Sequence, residues 1–166
     1  LKKKIKEDIK YDDMHFFQTS IYDLFTIIKA MSEILLELYP KAELLEKTIE
    51  EFAIKLNCEG LMIIDDNSLI IGSYFKDDTS KNLLNETVGY FLTLNDSFLK
   101  MGLGQDDDQM LIHKLGKYFL FKQIKLSEAS LPYYILMVKD SNPFDLYFIR
   151  KEHLTFINVL QEIVRK

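Results

Sequence analysis

Residues 14–38 read MHFFQTSIYDLFTIIKAMSEILLEL and carry the most regular apolar pattern in the chain. A repeat that averages about 3.5 residues places its side chains on one seam of an α-helix, which is typical of a helix that packs along another helix. The sequence therefore predicts a long N-terminal helix that ends before Pro40 and reaches beyond its own domain. The seam consists of apolar residues at alternating steps of three and four: Met14, Phe17, Ile21, Leu24, Ile28, Met31, Leu35 and Leu38.

The remainder of the chain alternates between helical and strand patterns. An amphipathic helix is predicted over 45–56, a β-hairpin over 61–75, one or two helices over 80–101, two or three strands, over 110–113, 118–126 and 133–138, and a closing helix from about 150. Antiparallel strands interrupted by helices are typical of an α+β fold. We therefore divide the chain into an N-terminal linker and dimerisation helix, residues 1–40, and a folded domain, residues 41–166.

Composition excludes several classes of function. The chain has 166 residues, of which 48% are apolar and 28% charged, as expected for a globular protein with a sizeable core. A net charge of −5 without a basic stripe argues against nucleic-acid binding. Cys58 is the only cysteine, so we expect no internal disulfide and a reducing, cytoplasmic setting. The sequence contains no apolar run of about 18 residues, so it predicts no membrane-spanning helix.

No motif in the sequence indicates an enzyme or a metal site. Counted from Asp106, the sixth and twelfth positions of an EF-hand loop would be Leu111 and Lys117, whereas calcium binding requires glycine and glutamate there. Cys58 has no histidine close in sequence to act as its base. Gly-rich phosphate loops and His-based zinc pairs are also absent from the sequence. We expect a non-enzymatic domain with no metal, and we leave the identity of any cofactor open.

Two segments resemble GAF domains. Residues 44–65 are similar to the opening helix and first strand of that family, and residues 133–144 are similar to its last strand and Pro-Phe turn. The resemblance implies an antiparallel sheet of about six strands, with the first and last helices together on one face and a small-molecule pocket on the other. A PAS-type sensor, which has a similar layer order, is the alternative. The signature of cyclic-nucleotide-binding members has no counterpart here.

The resemblance and the helical seam together predict two sets of functional residues. The resemblance places candidate pocket residues at Phe91, Phe98, His113 and Tyr118. In GAF relatives the terminal helices commonly build a dimer interface, which agrees with the seam. The predicted interface comprises residues of the first and last helices: Phe17, Ile21, Leu24, Ile28, Met31, Leu35, Ile157, Leu160 and Val164.

The sequence thus predicts a regulatory signalling domain of a larger protein. It would dimerise through its terminal helices, sense a small molecule, and pass a shift in helix packing to a neighbouring effector domain. The alternative is a ligand-free structural module for dimerisation or docking. The chain begins without methionine and ends in a helical pattern, so we expect it to be a piece of a longer protein.

Overall fold

A computed structural model describes residues 16–102, 109–114, 116–126, 132–140, 144 and 146–165. These residues form four helices and five strands, which confirms the predicted α+β class. In chain order the elements are α1 (Leu24–Leu38), α2 (Ala42–Lys55), β1 (Gly60–Asp65), β2 (Ile70–Phe75), α3 (Asp78–Lys100), β3 (Gln109–Lys114), β4 (Lys117–Ile124), β5 (Tyr133–Asp140) and α4 (Leu146–Arg165).

The five strands form one antiparallel sheet in the order β2-β1-β5-β4-β3. About six strands were predicted, so the described residues contain one fewer. The apolar runs of β1 and β5 are almost continuous, because helices cover both faces of the sheet at its centre. β2 and β3 are the two edge strands.

Helices α2 and α4 cover one face of the sheet. Phe52 of α2 and Phe156 of α4 stack with ring centroids 3.9 Å apart, and Leu160 is fully buried beside them. Gly72 of β2 allows α2 to approach closely, since a Cβ atom at this position would lie 2.5 Å from Cδ1 of Ile49. The last helix therefore packs against α2, whereas the sequence predicted that it would lie beside the first helix.

Helix α3 covers the opposite face. Its residues Leu84, Val88 and Phe91 are buried against the sheet. The helix begins after Asp77, whose carboxylate accepts a hydrogen bond of 2.7 Å from the N–H of Ser80. This N-cap satisfies a backbone donor that has no partner within the helix. The hydrogen bond from Ser80 also holds the pKa of Asp77 below its usual value.

The cap predicts a pH-dependent contribution of Asp77 to stability. Because the pKa is lower in the folded chain than in the unfolded chain, the contribution is complete above the ordinary carboxyl range and is lost as the pH falls through the lowered pKa. We expect the Tm of Asp77→Ala to lie below that of the wild type at about pH 7, and the difference to shrink towards about pH 3. Asp77→Asn, which keeps an acceptor without the charge, should approach the wild type at low pH. A difference that does not change with pH would contradict this assignment.

Helix α1 packs against β2 and covers the start of this edge strand. The hydroxyl group of Ser32, which is almost fully buried, accepts a hydrogen bond of 2.8 Å from the N–H of Ile70 and donates one of 2.9 Å to the carbonyl of Ile28. A backbone donor of the β2 edge is thereby satisfied within the chain. Edge strands that are covered in this way are protected from pairing with other chains.

The N-terminal helix is shorter than the sequence predicts. Helix α1 begins at Leu24, so Phe17 and Ile21 precede it, and Met14 lies outside the described residues. A tight turn interrupts the seam: the N–H of Asp23 bonds to the carbonyl of Ser20, and the N–H of Ser20 bonds to the hydroxyl of Thr26. Serine, threonine and aspartate offer the backbone such local partners, which compete with a continuous helix.

Candidate functional site

An apolar groove lies between α3 and the edge strand β3. The buried residues of α3 fix its rotation on the sheet, and as a result Tyr90, Leu94 and Phe98 form a row along its outer side. Their spacing of four residues places them one turn apart on the same side of a helix. Tyr90 is 77% exposed, and Leu94 and Phe98 are 38% and 39% exposed. These large apolar side chains therefore have no covering element in the part of the chain that the structure describes.

Strand β3 forms the second wall of the groove. It pairs with β4 along one side, with Ile112 opposite Phe119, and no described strand pairs with its other side. Leu111 and Ile112 are exposed, although isoleucine and leucine are usually buried in sheets. The outer side of β3 thus offers backbone hydrogen-bonding groups next to exposed apolar side chains.

The groove has a volume of about 470 Å³ and is mostly apolar. One of its two lysines, Lys117, is paired with the carboxylates of Glu59 at 2.6 Å and Asp140 at 3.4 Å. The hydrogen bond that Lys117 donates to the carboxylate of Glu59 raises the pKa of Lys117, so the side chain remains a paired cation. The groove is suited to apolar side chains. It is lined by Leu83, Thr87, Tyr90, Phe91, Leu94, Ile112, Lys114, Lys117 and Phe119.

A second cleft, of about 570 Å³, lies between the start of α1 and the middle of α3. Its walls combine acidic and apolar side chains, including Asp23, Glu86 and Val88. Among the described residues, no group of three or more histidine, cysteine or acidic side chains is arranged to hold a metal ion. None of the helices in this part of the chain has the length and apolar character needed to cross a bilayer.

Cys58 lies in the core beneath α2. Its Sγ atom is 3.9 Å from Sδ of Met137, and burial raises the pKa of the thiol to about 12. The thiolate is the reactive form of cysteine, and at neutral pH this side chain stays protonated. The structure therefore indicates that Cys58 is a core residue that packs in the interior rather than a reactive thiol.

The four candidate pocket residues lie on opposite faces of the sheet. Phe91 and Phe98 belong to α3, and Phe91 is a core residue that stacks on Phe121. His113 and Tyr118 stack on each other on the face that α2 and α4 cover, with ring centroids 4.2 Å apart. The sheet separates the two pairs, so the structure does not bring them together into one pocket.

The predicted interface residues differ in how far they are exposed. Met31 and Leu35 are exposed on α1, and Ile28 and Ile157 are half-buried. Leu160 requires a correction: it is fully buried in the domain's own core, because α4 packs on α2, and it is unavailable to a partner. The structure does not describe the side chains of Leu24 and Val164.

Sequence reasoning missed the groove. Its exposed residues Tyr90 and Leu94 were not predicted as interface residues, nor were Leu111 and Ile112. A signal for the helix was present, because apolar residues at 90, 94 and 98 follow a helical row that differs from the buried row at 84, 88 and 91. For β3 the sequence does not indicate which strand forms the edge of the sheet.

Comparison with protein families gives a match that covers more than half of the chain. The Gtr1/RagA G protein conserved region matches residues 1–91 of the 166. The chain belongs to the Gtr1/RagA family. The matched region includes α1, α2, the β1–β2 hairpin and most of α3. No curated protein matches the chain significantly.

Solved structures similar to this Gtr1/RagA family member share the roadblock/LC7 fold. MglB from Myxococcus xanthus has a TM-score of 0.54 and 11% identity, over 72% of this chain and 86% of its own. A Roadblock/LC7 domain from Streptomyces avermitilis has a TM-score of 0.54 and 8% identity, over 73% and 98%. An MglB structure with a tetrameric arrangement has a TM-score of 0.52 and 11% identity, over 70% and 85%.

These findings show that the GAF resemblance is wrong. The segments on which it rested carry the apolar patterns of a helix and of strands, and such patterns occur wherever helices pack on an antiparallel sheet. The Gtr1/RagA match supports the coarser expectation of a small regulatory domain.

Proposed function

We propose that this chain is a non-catalytic regulatory module. It pairs with a second roadblock-like domain of the same kind and thereby brings two G proteins together. The observation that carries the proposal is the open β3 edge next to the uncovered row of Tyr90, Leu94 and Phe98. The effector domain that the sequence led us to expect is, in this proposal, the G protein itself. The family match to a G protein conserved region supports this assignment.

The two edges of the sheet differ in their availability. Helix α1 covers the start of β2, where Ser32 occupies the N–H of Ile70. On β3, by contrast, Leu111 and Ile112 are exposed, and no described element covers the strand. An uncovered edge strand is a template for a strand of another chain. The proposal therefore places the partner at β3.

The sequence of β3 is compatible with pairing between two copies. In an antiparallel pair about a two-fold axis perpendicular to the sheet, opposite residues share a face, so an axis at Ile112 places this residue opposite its own copy. Leu111 then lies opposite His113, and Met110 opposite Lys114, so no like charges meet. Such a pair would extend the sheet across both copies.

Helix α3 supplies apolar area to the same interface. Continuation of the sheet places the two α3 helices on the same face, so their outer rows can meet. Tyr90 and Phe98 are aromatic residues of the kind that anchor protein interfaces. A stable interface buries at least about 1,000 Å² in total, and the row on α3 together with the β3 edge supplies exposed apolar surface towards this area.

This role agrees with the alternative weighed from the sequence, a ligand-free module for dimerisation or docking. Small-molecule sensing is the finer expectation, and it receives no support from Phe91, Phe98, His113 and Tyr118 because the sheet divides them. The mechanism we propose is mechanical: the paired sheets hold two copies, and hence two G proteins, in a defined arrangement.

The proposal is tested by measuring the mass of the species that the chain forms in solution. We expect the wild type at about 10 μM to sediment as a dimer or larger species, and Leu94→Lys combined with Ile112→Lys to weaken self-association at least about 100-fold, because two charges would be buried without partners. Ile54→Lys is the control, because Ile54 is also an exposed apolar residue, at 59%, but lies on α2. A monomeric wild type, or variants that associate like the control, would contradict the proposal.

The link to a G protein is tested separately. We expect calorimetry to detect binding between the chain and a purified Gtr1/RagA-type G domain from the same organism, loaded with either GDP or a GTP analogue. Absence of binding in both nucleotide states would reject the G protein role and leave the pairing proposal to the mass measurement.

A further inference from the structure

His113 lies on the pairing strand β3, on the face of the sheet opposite α3. Its side chain is exposed, and in the register of the two strands it stands opposite Tyr118 of β4. The two rings stack with centroids 4.2 Å apart and with an angle of 12° between their planes. The imidazole is therefore held against Tyr118, beside the outer side of β3.

The sheet supplies no negative charge around His113. On its own strand the neighbour on the same face is Leu111, and the residue that follows it in the chain is Lys114. Beyond Tyr118 in the same row of the sheet stands Lys139 of β5, which is a second cation. A proton on His113 would therefore join a neutral or positively charged row.

The helices on this face do not compensate for the missing negative charge. The carboxylate of Glu152 on α4 is engaged in an ion pair with Lys55 of α2. In the part of the chain that the structure describes, no carboxylate forms an ion pair with His113. A positive charge on the imidazole would thus lack a partner among these residues.

Pairing at β3 brings the two copies of His113 together. With the two-fold axis at Ile112, His113 of one copy lies opposite Leu111 of the other copy, on the same face of the sheet. The two histidines then occupy diagonal positions across the axis, about 7 to 8 Å apart. Each imidazole is placed between an apolar side chain and a second imidazole.

We propose that protonation of His113 opposes pairing, so that the assembly of this chain responds to pH. The inference rests on the proposed function, because it requires the β3 strands of two copies to meet. Histidine is the side chain that ordinarily gains its charge between about pH 5 and pH 8. In the pair, protonation places like charges at diagonal positions, and Leu111 displaces water from each charge. The separated chains carry the same charges in water without this cost.

The direction of the effect follows from linkage. Separated chains bind a proton at His113 more readily than paired chains do, so a falling pH favours separation. The overall charge acts in the opposite direction. The chain carries a net charge of −5 at pH 7, and protonation brings this charge closer to zero, which reduces the general repulsion between copies. Weaker pairing at low pH is therefore a signature of a local charge at the interface.

Sedimentation at several pH values tests the proposal. We expect the dissociation constant of the wild-type pair to rise at least about 10-fold between about pH 8 and pH 5.5. His113→Gln, which keeps a polar side chain that cannot be protonated, should pair with an affinity that does not fall over this range. His153→Gln is the control, because it removes a histidine of α4 and should leave the wild-type response unchanged. Circular dichroism at each pH verifies that the chain remains folded.

A permanent charge at the same position gives a second test. We expect His113→Lys to pair at least about 10-fold more weakly than His113→Gln at about pH 8, because its charge does not depend on pH in this range. If His113→Lys pairs as strongly as His113→Gln, a charge is tolerated at this position and the proposal is overturned.

The outcomes separate failure of this inference from failure of the proposed function. A wild-type pair of equal strength at both pH values would overturn the role of His113 and leave pairing at β3 intact. A full pH response in His113→Gln would assign the effect to another group and likewise reject His113. A chain that is monomeric at both pH values would reject the proposed function itself.

Discussion

Replacing Phe91 with alanine is expected to lower the free energy of unfolding by about 3 to 5 kcal/mol. Phe91 lies in the middle of α3 and is almost fully buried. Its ring stacks on Phe121 with centroids 5.5 Å apart and is tilted against Phe119 at 6.2 Å. Removal of the ring leaves a cavity between α3 and the sheet, and it also removes the aromatic contacts. Urea denaturation followed by circular dichroism at fixed protein concentration measures the loss.

Phe98→Ala is the matched comparison on the same helix. Phe98 is two turns further along and 39% exposed, so its replacement should cost less than about 1 kcal/mol within one chain. It should instead weaken the pairing that we propose at β3. Similar losses of stability for the two variants would contradict the assignment of Phe91 to the core and Phe98 to the interface.

The second large effect is expected at Leu160. Leu160→Ala should lower the free energy of unfolding by about 2 to 5 kcal/mol, because this side chain is fully buried between α4, α2 and the sheet. The measurement is again urea denaturation, combined with sedimentation to determine the mass. The control is Leu154→Ala on the same helix, where the side chain is 67% exposed and little stability should be lost.

This variant decides between two interpretations of the last helix. The apolar pattern of the sequence predicts Leu160 in a dimer interface, and the structure places it in the core. A loss of stability without a change in mass supports the core position. If the Leu160→Ala dimer dissociates while the chain retains its stability, the assignment of Leu160 to a dimer interface would be correct.

The apolar patterns predicted most of the elements. The hairpin at 61–75, the strand at 133–138 and the helices at 45–56 and from 150 all occur in the structure close to the predicted bounds. Each of these segments carries a clear period or a clear turn, so local sequence is sufficient. The helix predicted from Met14 is too long because the apolar period continues across Ser20 and Asp23, whose local hydrogen bonds form a turn, so that the helix begins only at Leu24.

The candidate site could be predicted from the sequence only in small part. A helical row of apolar residues shows that a helix side is buried, but it does not say what covers it. Leu160 and Leu35 both belong to apolar rows, and only the packing of α4 on α2 separates a core residue from an exposed one. The same limit explains why Phe91 and His113 were placed in one pocket, although a sheet lies between them.

By itself the sequence determined the α+β class, the order of the elements, and the presence of more apolar helix surface than one small domain needs. These properties follow from local periodicity and turn chemistry, which act over a few residues. Only the tertiary structure decided that β2 is covered by α1, that no described strand pairs with the outer side of β3, and that the outer row of α3 and several apolar residues of α1 remain exposed. Strand order and helix placement depend on contacts between residues far apart in the chain, and one sequence does not specify these contacts locally.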